Sequence, residues 1–164
     1  MIQTISFKGD VYPQFQASGN ASRFAKAFAI EVCVGNGYDI GANRKEWAFP
    51  GAVIVDPAVN SKYDAMNLPE ETVDYIFSSH CLEHVNDWVR ALDHWTTRLR
   101  SGGVLFLYLP DFSQKYWRPW HNTKHVNCLS AELIKAYLED NGYKNIFASG
   151  IDLNNSFTVM AEKI

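Results

Sequence analysis

The sequence predicts an α/β protein with one compact, doubly wound parallel sheet and shortened early crossovers. Two observations carry this. Short β-branched and aromatic runs, chiefly 73–79 and 104–109, alternate with segments of helical period, the pattern of parallel strands joined by helices. The stretch Gly37–Asp56 reads as a buried strand, a tight turn at Gly41, an abbreviated connection and a second apolar strand ending in an acid. Open α/β sheets hold an adenosine-containing ligand in this way: the turn lets backbone approach the ligand, and the acid accepts from ribose hydroxyls.

The elements follow in order. Residues 1–20 mix polar and aromatic positions with turn signals at Gly9-Asp10, Pro13 and Gly19-Asn20, and are expected to form a short strand or a flap. From Ala21 to Val34 the chain is Ala-rich, and Phe24, Phe28 and Val32 recur four apart on one helical face. Asn20 or Ser18 is its expected cap, and Gly35-Asn36-Gly37 its stop. Strands are expected at 38–41 and 52–56, a short extended piece at 62–65, and a central strand at 73–79. A helix over 86–100 carries a buried stripe of Trp88, Leu92, Trp95 and Leu99; Ser101-Gly102-Gly103 ends it, and 104–109 is the most apolar strand. Ser130 caps a helix reaching Asn141, and strands at 144–148 and 157–162 close the sequence. Only ten residues separate Gly41 from Ala52 and seven separate Asp56 from Asp64. A parallel crossover normally takes about a dozen residues. One sheet face should therefore be thinly covered, and packed either by residues 1–34 or by a second copy of the chain in a homodimer.

At 164 residues the length suits a single domain. With 47% apolar and 20% charged residues, wholesale disorder is excluded. A formal charge of −3 gives no electrostatic reason to expect nucleic acid as a partner. No apolar run approaches the ~18 residues a membrane helix needs, and the first residues lack the pattern of a signal peptide. Cys33, Cys81 and Cys128 make no disulfide framework, so a reducing, cytoplasmic location is expected.

Five motifs stand in order between residues 37 and 109: Asp39-Ile-Gly41-Ala-Asn43; Val53-Ile-Val-Asp56; Asp64-Ala65-Met-Asn-Leu68-Pro69; Val73-Asp-Tyr-Ile-Phe-Ser-Ser79-His80-Cys-Leu-Glu83-His84; and Leu99-Arg-Ser-Gly102-Gly103. Together they resemble the class I S-adenosylmethionine-dependent methyltransferases, particularly the small-molecule branch. The resemblance implies a Rossmann-like, mostly parallel sheet whose last strand inserts antiparallel between its neighbours. It also implies S-adenosyl-L-methionine as cofactor, with Asp56 on the ribose and Asp64 and the Ala65 amide on adenine. Asp39, Gly41 and Asn43 would position the methionine end, with Ser79 and His80 lining the end of the central strand. Two features depart from the family pattern. Asn43 replaces the second glycine of the turn, and the crossovers are short.

A nicotinamide or flavin cofactor is the nearest rival, but Gly35 and Gly37 precede the strand, whereas a pyrophosphate needs its glycines after it, at a helix N-terminus. Residues 1–36 form an N-terminal segment and helix, 37–109 the cofactor half, 110–128 a lid loop, and 129–164 the last helix and strands. The loop follows the most apolar strand and so emerges at the carboxyl edge, where such sheets bind ligands. Its His121 or His125 is the candidate general base, with Glu83 as a third catalytic candidate. The run Ser78-Ser-His-Cys lacks the Asp/Asn-Pro-Pro-aromatic signature expected for methylation of base amines, so a small-molecule acceptor is expected. Two other readings stay open: a binding or regulatory protein without catalysis, and a metal-dependent enzyme using His80, His84, His121 and His125, with Cys81 a further soft ligand.

Overall fold

The computed structural model describes residues 3–15 and 19–164. Its order is β1 (Thr4–Phe7), β2 (Asp10–Pro13), α1 (Ser22–Val32), β3 (Gly37–Ile40), β4 (Val53–Val55), β5 (Val73–Ser79), α2 (Trp88–Arg98), β6 (Leu99–Pro110), α3 (Ala131–Asp140), β7 (Tyr143–Ala148) and β8 (Ser156–Lys163). Strands β3 to β8 make one sheet in the order β4-β3-β5-β6-β8-β7. Pairing is parallel from β4 to β6, and β8 lies antiparallel between β6 and β7. The expected α/β, mostly parallel sheet with an antiparallel last strand is therefore the fold observed.

Period-two alternation divides the two central strands between the faces of the sheet. Tyr75 and Phe77 of β5, with Phe106 and Tyr108 of β6, point to the side covered by α1. Ile76 of β5 and Leu105, Leu107 and Leu109 of β6 point to the other side, where α2 supplies Leu92 and Trp95 and α3 supplies Ile134 and Leu138. Asp87 caps α2 through its side chain, and Ser130 caps α3 as expected.

Of the two ways to cover the thin face, the structure uses the N-terminal segment, since α1 lies on it. The face α1 turns inward differs from expectation. Ala25 and Ala29 are buried, while Phe24 and Phe28 are about 40% exposed. The sheet under α1 is already paved with large rings, so only methyl-sized side chains fit between helix and sheet. Phe28 instead lies at the flank, against Phe106 and Phe147. Ala21 caps α1 without a side-chain hydrogen bond, and the Asn20 side chain instead accepts from the Ser22 hydroxyl. The other expected cap, Ser18, lies outside the described residues.

The early crossovers are stubs. A single 3₁₀ turn at Lys45–Trp47 links β3 to β4. The piece expected as extended at 62–65 is a turn closed by a bridge between Asp64 and Asn67, because the Asp64 carboxylate accepts from the Met66 N–H and bends the chain back. At the N-terminus, the β1–β2 hairpin docks on the segment after β6. The ring of Phe7 meets Tyr116 and His121 edge-on, and Lys115 pairs with Asp10. No helix among the described residues is long and apolar enough to cross a membrane.

Candidate active site

A cleft of about 230 Å³ opens at the carboxyl edge of the sheet, beyond the ends of β3 and β5. This is the place where open α/β sheets bind ligands. Asp39, Gly41, Ala42, Asn43, Ser79 and His80 line one part of it, and Glu83, His84, His125 and Trp117 another. Trp47 from the stub crossover and Asn20 and Ser22 at the start of α1 add a further wall.

The turn after β3 is shaped by close packing. Gly41 has φ +88°, and a Cβ there would stand 2.6 Å from the Cβ and 2.7 Å from the Sγ of Cys81. Only glycine lets this backbone sit so near the strand-five loop. Asn43 has φ 62°, the left-handed conformation asparagine tolerates, so the turn survives the loss of its second glycine. The Asn43 N–H donates to Asp56 Oδ2 at 2.8 Å, and the Ala58 N–H donates to Asp56 Oδ1 at 2.8 Å. Asp56 thus ties the two turns together. Each carboxylate oxygen carries two acceptor sites, so one on each remains for a ribose hydroxyl.

Asp39 is 2% exposed and accepts from the Phe49 N–H at 2.6 Å. Burial pushes its carboxyl up to about 7, partly opposed by that amide and by Lys26. Ser79 lines the cleft with a buried hydroxyl that has no hydrogen-bond partner, an atom shaped for a ligand to satisfy. Asp64 and Ala65 lie apart, in a shallow depression shared with Met66, Val85, Asn86 and Asp87. A cleft of mixed polarity for a charged amino-acid end, an acid at the end of β4 and a mainly apolar depression fit S-adenosylmethionine. No regular helix follows Gly41 to receive a pyrophosphate.

The loop after β5 holds a cluster of titratable groups. His80 adopts φ 50°, uncommon for a residue with a Cβ, and its N–H is held by the Tyr108 carbonyl at 2.8 Å. Its Nε2 lies 2.9 Å from Ser156 Oγ, and burial lowers its pKa to about 3. Glu83 is 1% exposed, neither carboxyl oxygen has a hydrogen-bond partner, and burial raises it to about 8. Its Oε1 stands 3.7 Å from His80 Nδ1 and 3.6 Å from His84 Nε2. His84 Nδ1–H donates to the Lys124 carbonyl at 2.7 Å. The His125 ring packs edge-on to His84 at 4.8 Å between centroids, and burial lowers it to about 4.

The two histidines of the loop part company. His125 enters the cleft, while His121 stands outside it, donating Nδ1–H to the Lys115 carbonyl and resting against Phe7 and Trp120. Of the two expected candidates for a base, His125 is the one that lines the cleft. Cys81 packs behind Gly41 and takes no part in the histidine cluster. Sequence reasoning also missed Trp47, Trp117 and Asn154 as cleft walls. No motif marked them, since each reaches the site from a segment without period.

The fold and the site define a class I methyltransferase that uses S-adenosyl-L-methionine. A family model described as a methyltransferase domain matches residues 17–147, so the chain belongs to that family. No curated protein matches it in sequence. Among solved structures, an S-adenosylmethionine-dependent methyltransferase from Thermotoga maritima is similar, with a TM-score of 0.69 at 17% identity, covering 92% of this chain and 95% of that one. The N-methyltransferase NodS of Bradyrhizobium japonicum, in complex with S-adenosyl-L-homocysteine, gives a TM-score of 0.65 at 16% identity over 92% and 91% of the two chains. A methyltransferase from Archaeoglobus fulgidus gives 0.64 at 16% identity over 87% and 94%.

Proposed function

We propose that the chain transfers a methyl group from S-adenosyl-L-methionine to an oxygen or nitrogen of a small-molecule acceptor. The observation that carries this is one cleft lined both by a cofactor turn at Asp39, Gly41 and Asn43 and by an acid–imidazole cluster at Glu83, His84 and His125. The bound cofactor supplies an electrophilic methyl group, and the protein's own residues do the rest. Asp39 and the Ser79 hydroxyl bind the amino-acid end. Asp56 takes the ribose, and Asp64 with the Ala65 amide takes the adenine. Trp47 and Trp117 exclude water, so that alignment of acceptor and methyl supplies most of the rate. His125, held neutral by burial, accepts the acceptor's proton beside Glu83 in the same cluster.

A small acceptor suits the net charge of −3 and a cleft walled on several sides. We place the protein in a reducing compartment, where its three free thiols persist. A homodimer through the α1 face would dock on Phe24 and Phe28 of that helix, not on bare sheet. Calorimetry with S-adenosyl-L-homocysteine tests the cofactor part, and absence of binding would overturn it. Acceptor pools screened by mass spectrometry for the gain of one methyl then name the acceptor class. A methylated polynucleotide with no methylated small molecule would refute the second part.

A further inference from the structure

We infer that Glu83, His84 and His125 form a binding site for a first-row transition-metal dication of the zinc type on the acceptor side of the cleft. One ligand atom from each lies within 4.8 Å of the others. The argument rests on where the hydrogens are. His84 gives its Nδ1–H to the Lys124 carbonyl, which leaves Nε2 as a lone pair aimed at Glu83 Oε1 from 3.6 Å. The Ser156 hydroxyl donates to the Asn154 carbonyl and so receives the Nε2–H of His80. That leaves His80 Nδ1 as a second lone pair, 3.7 Å from the same Oε1.

His84 Nε2 and His80 Nδ1 therefore both turn acceptors, not donors, toward Glu83 Oε1. Glu83 is buried to 1% exposure, and neither of its oxygens has a hydrogen-bond partner. Buried polar atoms are normally satisfied, and a proton on Glu83 would serve only one of them. A dication serves the carboxylate and the imidazoles together. An imidazole whose second N–H is fixed by a backbone carbonyl, as His84's is by Lys124, is also the usual arrangement at a metal site. Two imidazoles and one carboxylate suit zinc, cobalt or iron, whereas magnesium and calcium prefer all-oxygen surroundings. Ligand atoms around a tetrahedral ion stand ~3.4 Å apart, so a pair at the 4.8 Å limit closes by about 1.4 Å on binding. Main-chain pinning limits this movement to the side chains: the N–H groups of Val126 and Asn127 hold the Glu83 carbonyl, and the Asn127 side chain holds Leu82 and Val85.

Three protein ligands leave a coordination position open toward the cleft, where a hydroxyl of the acceptor binds. With the ion in place, His125 and Glu83 no longer take the proton themselves. The ion lowers the pKa of the hydroxyl, and the proton leaves to solvent. The site itself stands on the geometry above; its use toward an acceptor rests on the methyl-transfer reading.

The test is a titration of the untagged chain with Co²⁺, read by visible absorption, with S-adenosyl-L-homocysteine binding measured in parallel. One equivalent of Co²⁺ is expected, displaced by Zn²⁺ and not by Mg²⁺. Glu83→Gln and His84→Ala should each weaken Co²⁺ by ~100-fold. Should Glu83→Gln fail to fold, His84→Ala decides alone, because that ring is half exposed and its loss leaves the core intact. Equal Co²⁺ affinity in the wild type and His84→Ala would overturn the site. Homocysteine-product binding without metal uptake sinks the metal site and spares the methyl-transfer reading. Metal uptake without that binding does the reverse.

Discussion

Asp39 is placed where stability and binding ask for opposite things. Its folded pKa of about 7 lies above the ordinary 3.8, mainly through burial, with Lys26 lowering it and Asp56 raising it. The sign follows from linkage: between these values the folded state holds a proton that the unfolded chain has released, so stability falls as pH rises. Asp39→Asn removes that penalty while keeping an acceptor for the Phe49 amide. The melting temperature of the cofactor-free variant should exceed wild type by roughly 5 °C or more at pH 8, with the gap closing near pH 4. Under the proposed function the same substitution weakens S-adenosyl-L-homocysteine at pH 8 by about 10-fold or more, because a charge-assisted hydrogen bond is lost. Wild-type affinity should also decline as pH falls through 7, read by calorimetry in chelator-treated buffer. Gly41→Ala carries the opposite sign for stability. Its φ of +88° and the Cys81 atoms within 2.7 Å of the new methyl leave no room. We expect a loss of about 1–3 kcal/mol in urea denaturation, together with lost cofactor binding.

Among elements, β5 was fully legible: its β-branched and aromatic run spans Val73–Ser79 in both sequence and structure. Helix α1 was legible as a helix and misread as to its inner face. Period alone ranks Phe24 and Phe28 above alanines, but the aromatic pavement of Tyr75, Phe77, Phe106 and Tyr108 comes from strands 46 to 83 residues away and gives the contact to Ala25 and Ala29, with Val32 partly buried against the same rings. Ala29→Leu should therefore destabilise by about 1–3 kcal/mol through overpacking, whereas Phe24→Leu on the half-exposed face should change the urea midpoint little. In the candidate site, Asp39, Gly41, Asn43, Ser79, His80 and Glu83 could be found because each sits at a strand end fixed by local pattern. His121 and His125 could not be told apart, since both lie in a loop without period and only tertiary packing turns one into the cleft. That packing includes the β1–β2 hairpin. Phe7→Ala removes the ring held against Tyr116 and His121, so trypsin should cut faster at Lys115 or Lys124 in the variant while the far-ultraviolet circular dichroism stays unchanged.

At the scale of the whole molecule, the stub crossovers explain how 164 residues contain both a sheet and a cleft. The crossovers on either side of β4 supply no covering helix, so α1 takes over that face, and its start, with Trp47, becomes a cleft wall. Cofactor turn and acid–imidazole cluster then share a single opening, which makes their ligands thermodynamically comparable. A ligand that binds only the folded state stabilises it by about 2.7 kcal/mol at 100-fold excess over Kd, worth roughly 5–10 °C for a chain of this size. S-adenosyl-L-homocysteine at that excess should raise the melting temperature by this amount, and Co²⁺ should do the same through Glu83, His84 and His125. Because the two sites touch different parts of one cleft, the shifts should add when both ligands are present. A combined shift no greater than the larger single one would mean that they compete for the same space, and would move the ion from the acceptor side to the cofactor's own seat.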